Sequence, residues 1–216
     1  QFNLIVSFSF GWLNQSQLRY GNFVNSKILN KSKSSISLIF ISAIAIIPLF
    51  CFLNIKANLS FFDFIKYYFV IFFIGLLTYI RSIFQSNFFP KKVLLLNIIQ
   101  SGLIIIIPVI IYFFKPINDK TLLITTGLSS LITFSIMLFY NSEFFNFSKS
   151  NYIEIKKWIN FGVPVSIWGS MGLFMPYIDR YYINKFYNIE ILGTYSSIHE
   201  LTIKVFSFII FPFTLA

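Results

Sequence analysis

Cysteine, histidine and acidic side chains are scarce in this chain of 216 residues, and each shortage excludes a class of site. The single cysteine, Cys51, cannot form a disulfide within the chain and is expected to pack as a small apolar side chain. The single histidine and the seven carboxylates form no cluster with the spacing of metal ligands. Motifs of metalloproteases, serine hydrolases and phosphate-binding loops are also missing. We therefore expect neither an enzyme nor a cofactor or metal site.

Charged residues of both signs make up 11% of the chain, less than half of the about 25% that a soluble domain carries. Hydrophobic residues make up 56%, and they form runs of about the 20 residues that a helix needs to cross a bilayer. We therefore predict an all-α fold, a polytopic transmembrane helical bundle that forms one domain over residues 1–216. The predicted helices cover residues 1–20, 36–55, 61–80, 93–114, 121–140, 158–178 and 195–216. Because the chain begins at Gln1 and stops within an apolar run, we expect a piece of a longer protein.

The net charge of +10 comes from lysines and arginines scattered between the apolar runs, which does not predict a nucleic-acid surface. Counted by alternate connections, about ten basic residues fall on one side and about six on the other. The positive-inside rule then places the connections 22–35, 82–92 and 141–157 in the cytoplasm.

Ionisable residues within the apolar runs are candidate functional groups, because a charge near the bilayer centre is costly unless it faces a cavity or a partner. The last run contains His199, Glu200 and Lys204, and the spacing of Glu200 and Lys204 lets them neutralise each other along one helix face. These three residues can couple transport to an ion, or they can mark an interfacial start of the helix. Asp179 and Arg180 close the preceding run, either as a cavity ion pair or as the polar end of a helix.

Arginine occurs only at Arg19, Arg81 and Arg180, although lysine is frequent. A guanidinium binds phosphate through two parallel hydrogen bonds, so each arginine is a candidate phosphate ligand. The alternative for Arg19 and Arg81 is an ordinary positive-inside role.

Small residues recur every fourth position in the run 158–178, at Gly162, Ser166 and Ser170. Such a face allows two helix backbones to approach closely. It is typical either of a static packing seam or of a helix that bends or slides during transport.

Two segments resemble bacterial polysaccharide (O-antigen) flippases, members of the multidrug/oligosaccharidyl-lipid/polysaccharide exporter superfamily. The segment FGWLNQSQLRYGN, Phe10–Asn22, resembles the end of their second helix. The segment Phe161–Leu201 resembles their seventh helix and the following loop. It has a Gly-x-Pro entry, an Asp-Arg pair, and an acidic residue before Gly-x-Tyr-Ser. In this sequence the matching positions are Gly162–Pro164, Asp179–Arg180, Glu190 and Gly193–Ser196.

The resemblance implies the N-terminal lobe, about helices two to eight, of a two-lobed transporter that works by alternating access. The implied cargo is an oligosaccharide unit linked to polyprenyl pyrophosphate, moved across the bacterial inner membrane. Arg180 and Lys204 are the expected pyrophosphate ligands, with Arg19 and Arg81 near the cytoplasmic mouth. Asp179, His199 and Glu200 are the candidates for coupling to H⁺ or Na⁺. Membrane lipids and a polysaccharide polymerase are further candidate partners.

Two alternatives stay open. A multidrug cation antiporter of the same superfamily needs acidic groups in its cavity, whereas this chain is net basic, which favours an anionic cargo. A membrane polysaccharide polymerase or ligase typically carries catalytic residues in a large outer loop, and no connection here exceeds about twenty residues.

Overall fold

A computed structural model describes residues 2–21, 35–53, 61–114, 116, 118–140 and 152–214. Within these ranges the secondary structure is helical with short turns and contains no strand, which confirms the all-α part of the predicted fold. The helices in chain order are α1 (Phe2–Tyr20), α2 (Ser35–Leu53), α3 (Phe61–Ser86), α4 (Pro90–Tyr112), α5 (Asp119–Tyr140), α6 (Tyr152–Phe186) and α7 (Ile189–Thr214).

Three helices of the described chain are long and apolar enough to cross a membrane. They are α3, α4 and, within α5, the stretch Lys120–Tyr140. An uninterrupted helix satisfies its backbone hydrogen bonds internally, which is the condition for crossing hydrocarbon. The spans predicted in the other four helices stay predictions.

The connection between α3 and α4 is shorter than the predicted loop 82–92, because α3 continues to Ser86 and α4 already begins at Pro90. Phe88 adopts a left-handed backbone conformation with φ of 54°. The Phe89 N–H then donates to the Phe84 carbonyl at 2.9 Å, which satisfies a carbonyl at the end of α3. Pro90 occupies the first turn of α4, where its missing N–H costs nothing. The two helices are therefore joined by a tight turn.

The chain divides into two compact units, Gln1–Ser170 and Met171–Ala216, which we call unit 1 and unit 2. In unit 1, α3 packs against α1, α2, α4 and α5. The core side chains come from several helices, and the fully buried ones include Phe10, Leu13, Leu38, Ile46, Ile71, Leu77, Tyr79, Phe84 and Leu96. Gly75 of α3 faces the ring of Phe10, so this glycine lets α1 and α3 approach closely.

Interhelical contacts place three helix termini at the same end of unit 1. Gln17 Nε2 donates to Ser86 Oγ at 3.1 Å, which joins the last turns of α1 and α3. Ser16 Oγ donates to the Trp158 carbonyl at 2.7 Å, which brings the start of α6 to the same place. We call this the basic end. Lys120 pairs with Asp63 at 3.9 Å, so the starts of α3 and α5 lie together at the opposite end.

Candidate functional site

Hydrogen bonds between polar side chains connect α1 to α3 inside unit 1. Asn14 Nδ2 donates to Thr78 Oγ1 at 3.2 Å, and Gln17 Oε1 accepts from the Tyr79 hydroxyl at 3.4 Å. Gln17 also donates to Ser86, so its amide joins two residues of α3. Asn14 and Gln17 are three residues apart and therefore lie on one face of α1. In a membrane such bonds are worth about 0.6 kcal/mol each on average, so they fix the register of α1 against α3 more than they stabilise the fold.

Helices α1 and α6 meet in unit 1 along a line of small residues, which we call the α1–α6 seam: Gly11, Ser16, Gly162 and Ser166. A Cβ added at Gly162 would meet the Trp12 carbonyl group and the Ser16 hydroxyl, and one added at Gly11 would meet Ser166 Oγ at 2.8 Å. Ser166 Oγ donates to the Ser7 carbonyl at 2.8 Å, and Ser16 bonds the Trp158 carbonyl across the same line. The seam is therefore a close backbone contact with two hydroxyl bonds.

A pocket of about 500 Å³ lies at the basic end, beside the seam. We call it the Arg19 pocket, and it is lined by Arg19, Tyr20, Ile153, Lys156, Lys157, Asn160 and Phe161. The Arg19 guanidinium carbon lies 4.2 Å from the ring centroid of Phe161, and Lys157 Nζ lies 4.7 Å from that of Tyr20. The two rings meet edge to face at 5.6 Å. Aromatic faces thus hold two of the three cations.

Among the side chains that the structure describes, which do not include that of Glu154 on the same helix, no carboxylate forms an ion pair with Arg19, Lys156 or Lys157. The ion pairs found there join Lys66 to Asp63, Lys120 to Asp63, and Arg180 to Glu200. A ring quadrupole attracts a cation without cancelling its net charge, unlike a carboxylate. With three cations among its lining residues, the pocket carries net positive charge, which attracts an incoming anion.

Arg81 occupies a separate position between α3 and α4. Its Nη2 donates to Gln100 Oε1 at 2.9 Å, and its Nε is buried without a described hydrogen-bond partner. Arg81 does not line the Arg19 pocket, and the placing of both arginines near the cytoplasmic mouth stays a prediction.

In unit 2, residues of α6 and α7 that the sequence analysis named as candidates in two separate runs lie close together. We call Asp179, Arg180, Tyr195, His199 and Glu200 the unit 2 cluster. Arg180 Nη2 lies 3.2 Å from Glu200 Oε1, with side chains 30% and 58% exposed. The Tyr195 hydroxyl donates to Asp179 Oδ2 at 3.1 Å, and the Tyr195 ring lies beside that of His199 at 5.7 Å. His199 Nδ1 is buried without a described partner.

Glu200 has a partner that the sequence did not suggest, Arg180 of α6. The sequence spacing also lets Glu200 and Lys204 neutralise each other, and this stays a prediction because the Lys204 side chain lies outside the described residues. Asp179 and Arg180 are not an ion pair with each other in the described structure, since each contacts a different residue of α7. No group of three or more His, Cys, Asp or Glu in the described ranges is placed to hold a metal ion.

Comparison with protein-family models, with curated proteins and with solved structures finds no match. The Arg19 pocket offers positively charged hydrogen-bond donors beside aromatic rings, and this combination suits an amphipathic anion. The unit 2 cluster offers a partly exposed ion pair that an ion or a charged ligand can open.

Sequence reasoning missed two parts of this arrangement. Lys156 and Lys157 were counted only as loop charges, although they belong to α6 and line the pocket with Arg19. Gln17 was not singled out, although a glutamine three residues after Asn14 in an apolar helix is a detectable polar face. Neither the pair of lysines nor the polar face of α1 predicts which helix packs against these residues, because that depends on tertiary packing.

Proposed function

We propose that this chain is part of a flippase that moves an oligosaccharide unit linked to polyprenyl pyrophosphate across the bacterial inner membrane. In this proposal the helices belong to the N-terminal lobe of a two-lobed bundle that works by alternating access. The observation that carries the proposal is the α1–α6 seam. It joins Phe10–Asn22 to the beginning of Phe161–Leu201, the two segments that resemble the flippase family.

The build of the seam supports a transport role, because transport requires helices to shift against each other. Glycine and serine present no long side chains that interlock, so a shift need not force neighbouring side chains into new rotamers. The bonds across the seam run from serine hydroxyls to backbone carbonyls, and a hydroxyl can find another carbonyl one turn away. Such a contact is close but not locked by side-chain shape.

The sign of the charge supports an anionic cargo over the cation of a multidrug antiporter. Arg19, Lys156 and Lys157 stand at one end of unit 1 without a described carboxylate. The carboxylates of Asp63 and Glu200 each contact a cation, and that of Asp179 accepts a hydrogen bond from the Tyr195 hydroxyl. A pyrophosphate attached to a lipid gains from such a pocket, while its sugars need only polar surroundings.

The unit 2 cluster supports a route for energy coupling. A pyrophosphate that binds Arg180 competes with Glu200 for the same guanidinium. The displaced Glu200 carboxylate then becomes a candidate acceptor for the coupling H⁺ or Na⁺, and His199 lies close to it in sequence and beside Tyr195 in space. In this mechanism, cargo binding at Arg180 releases Glu200 to bind the ion, so the two binding events are coupled.

Complementation tests the proposal. The complete gene is placed in a strain that lacks its polysaccharide flippase, and surface polymer and the leaflet position of the lipid-linked unit are measured. We expect surface polymer to return and the units to leave the cytoplasmic leaflet. Arg19→Gln should reduce both readouts, whereas Lys91→Gln removes one cation from the same end outside the pocket and should not.

The leaflet readout separates the proposal from its alternative. If deletion of the gene in its native host leaves lipid-linked units on the outer leaflet, export occurs without this protein and a polymerase or ligase role replaces the flippase. If deletion strands the units on the cytoplasmic leaflet, the flippase role stands.

A further inference from the structure

The Arg19 pocket combines cationic donors with aromatic and apolar walls, and this combination suits a lipid headgroup as well as a passing cargo. We propose that it binds the phosphate of an anionic membrane phospholipid in the leaflet at the basic end. This proposal needs only the pocket and a bilayer around the helices, and it does not require the flippase function.

The donors of the pocket point to phosphate. The Arg19 guanidinium carbon lies 4.2 Å from the centroid of the Phe161 ring, and a contact with a ring leaves guanidinium N–H groups available for a bidentate contact with an oxyanion. No hydrogen bond from the Arg19 guanidinium is found within the described ranges, and its described contacts are the rings of Phe161 and Tyr20. An arginine that rings hold in place, with no described acceptor for its N–H groups, suits a planar or tetrahedral oxyanion.

Helix α6 completes the set of donors. Lys156 and Lys157 are consecutive, so they leave the helix about 100° apart and approach the pocket from two directions. Asn160 follows one turn later and adds an amide. Together with Arg19, these three residues line the pocket with cationic and amide donors from two helices.

The walls of the pocket favour a lipid over a free phosphate ion. Tyr20, Phe161 and Ile153 give it an apolar side, and about 500 Å³ falls in the range of pockets that take whole small molecules. Tyrosine and tryptophan at helix ends are typical of the headgroup level of a bilayer, and Tyr20 lies against Trp158 at 6.5 Å here. A headgroup phosphate with its glycerol backbone fits both the charge and the apolar wall.

Native mass spectrometry of the full chain tests the proposal. The protein is purified with phosphatidylglycerol or with phosphatidylcholine, and the lipid copies that stay bound are counted. We expect the protein to retain phosphatidylglycerol and the double variant Arg19→Gln/Lys157→Gln to retain at least about tenfold less, because each basic residue near a membrane contributes a severalfold gain for anionic lipid. The control Lys91→Gln should retain as much as the unmodified chain.

A third sample, loaded with polyprenyl pyrophosphate, separates the two sources of lipid-borne phosphate. Retention of phosphatidylglycerol that depends on Arg19 and Lys157 supports the proposal. Retention of polyprenyl pyrophosphate alone assigns the pocket to the cargo and overturns it, as does phosphatidylglycerol retention that the variants leave unchanged.

A second measurement covers the case in which the double variant does not fold. A photoactivatable phosphatidylglycerol is crosslinked to the unmodified protein, and the labelled peptides are mapped. Crosslinks at residues 153–161 support the proposal, and crosslinks confined to other segments overturn it.

Discussion

Substitution of Gly162 by alanine tests whether the α1–α6 seam is as close as the structure gives it. The added Cβ would lie 2.8 Å from the carbonyl carbon of Trp12, whereas ordinary contact begins at 3.4 Å. It would also meet the Trp12 carbonyl oxygen and the Ser16 hydroxyl. Because most of the obstacle is backbone, no rotamer change relieves it, and α1 and α6 must separate by more than half an ångström.

The magnitude follows from three contributions. Overpacking of this kind costs about 1–3 kcal/mol. Separation also weakens the Ser16 and Ser166 hydroxyl bonds, which are worth about 0.6 kcal/mol each in a membrane protein. Alanine returns up to about 1 kcal/mol through its higher helix propensity. We therefore expect Gly162→Ala to lower the free energy of unfolding by about 1–3 kcal/mol.

The assay is thermal unfolding in mild detergent, followed by the monodisperse peak in size-exclusion chromatography. For a chain of this size the loss corresponds to a fall of about 2–12 °C in apparent Tm. The matched control is Gly169→Ala on the same helix, where the added Cβ meets open space, so the apparent Tm should stay the same or rise. An apparent Tm for Gly162→Ala equal to or above that of Gly169→Ala would refute the close seam.

Two further predictions use the same assay. Gly75→Ala places a Cβ 2.6 Å from Cγ of the fully buried Phe10 and should lower the apparent Tm by several degrees. In the control Gly102→Ala the added Cβ meets open space, so the apparent Tm should not fall. Equal apparent Tm values for the two variants would contradict this packing. A double-mutant cycle of Arg180→Gln and Glu200→Gln should give a coupling of about 0.2–1 kcal/mol, the range for a partly exposed ion pair, and additive effects would exclude the pair.

Apolar run length predicted where helices lie, but it did not predict where they end. Helix α3 was predicted to stop at residue 80, yet it continues to Ser86, and the side chains of Arg81 and Ser86 bond to Gln100 of α4 and Gln17 of α1. Helix α6 covers Tyr152–Phe186 although its apolar run covers only 158–178. Hydropathy predicts which residues lie in the hydrocarbon core of the bilayer. A helix continues through polar residues beyond that core as long as its backbone hydrogen bonds continue.

The sequence predicted which residues belong to the candidate site, but it did not predict which residues they contact. Arg180 and Glu200 were singled out because charges in apolar runs are costly, and both belong to the described cluster. Their pairing was missed because the i,i+4 rule sees only one helix, and Lys204 was the nearest cation in that register. Which helix faces α7 depends on side-chain packing over the whole unit, which sequence spacing does not encode.

The two groups of charges differ in how their cations are held, and under the proposed function this difference sets an order of events. Arg19 is held by ring faces, so its charge stays available and attracts an anion from a distance. Arg180 is held by a carboxylate, so it binds an anion only in exchange for Glu200. Neutralising Arg19 should therefore slow the capture of cargo without changing its ion dependence. Neutralising Glu200 should leave capture intact and change the ion dependence, and the opposite result would assign capture to unit 2.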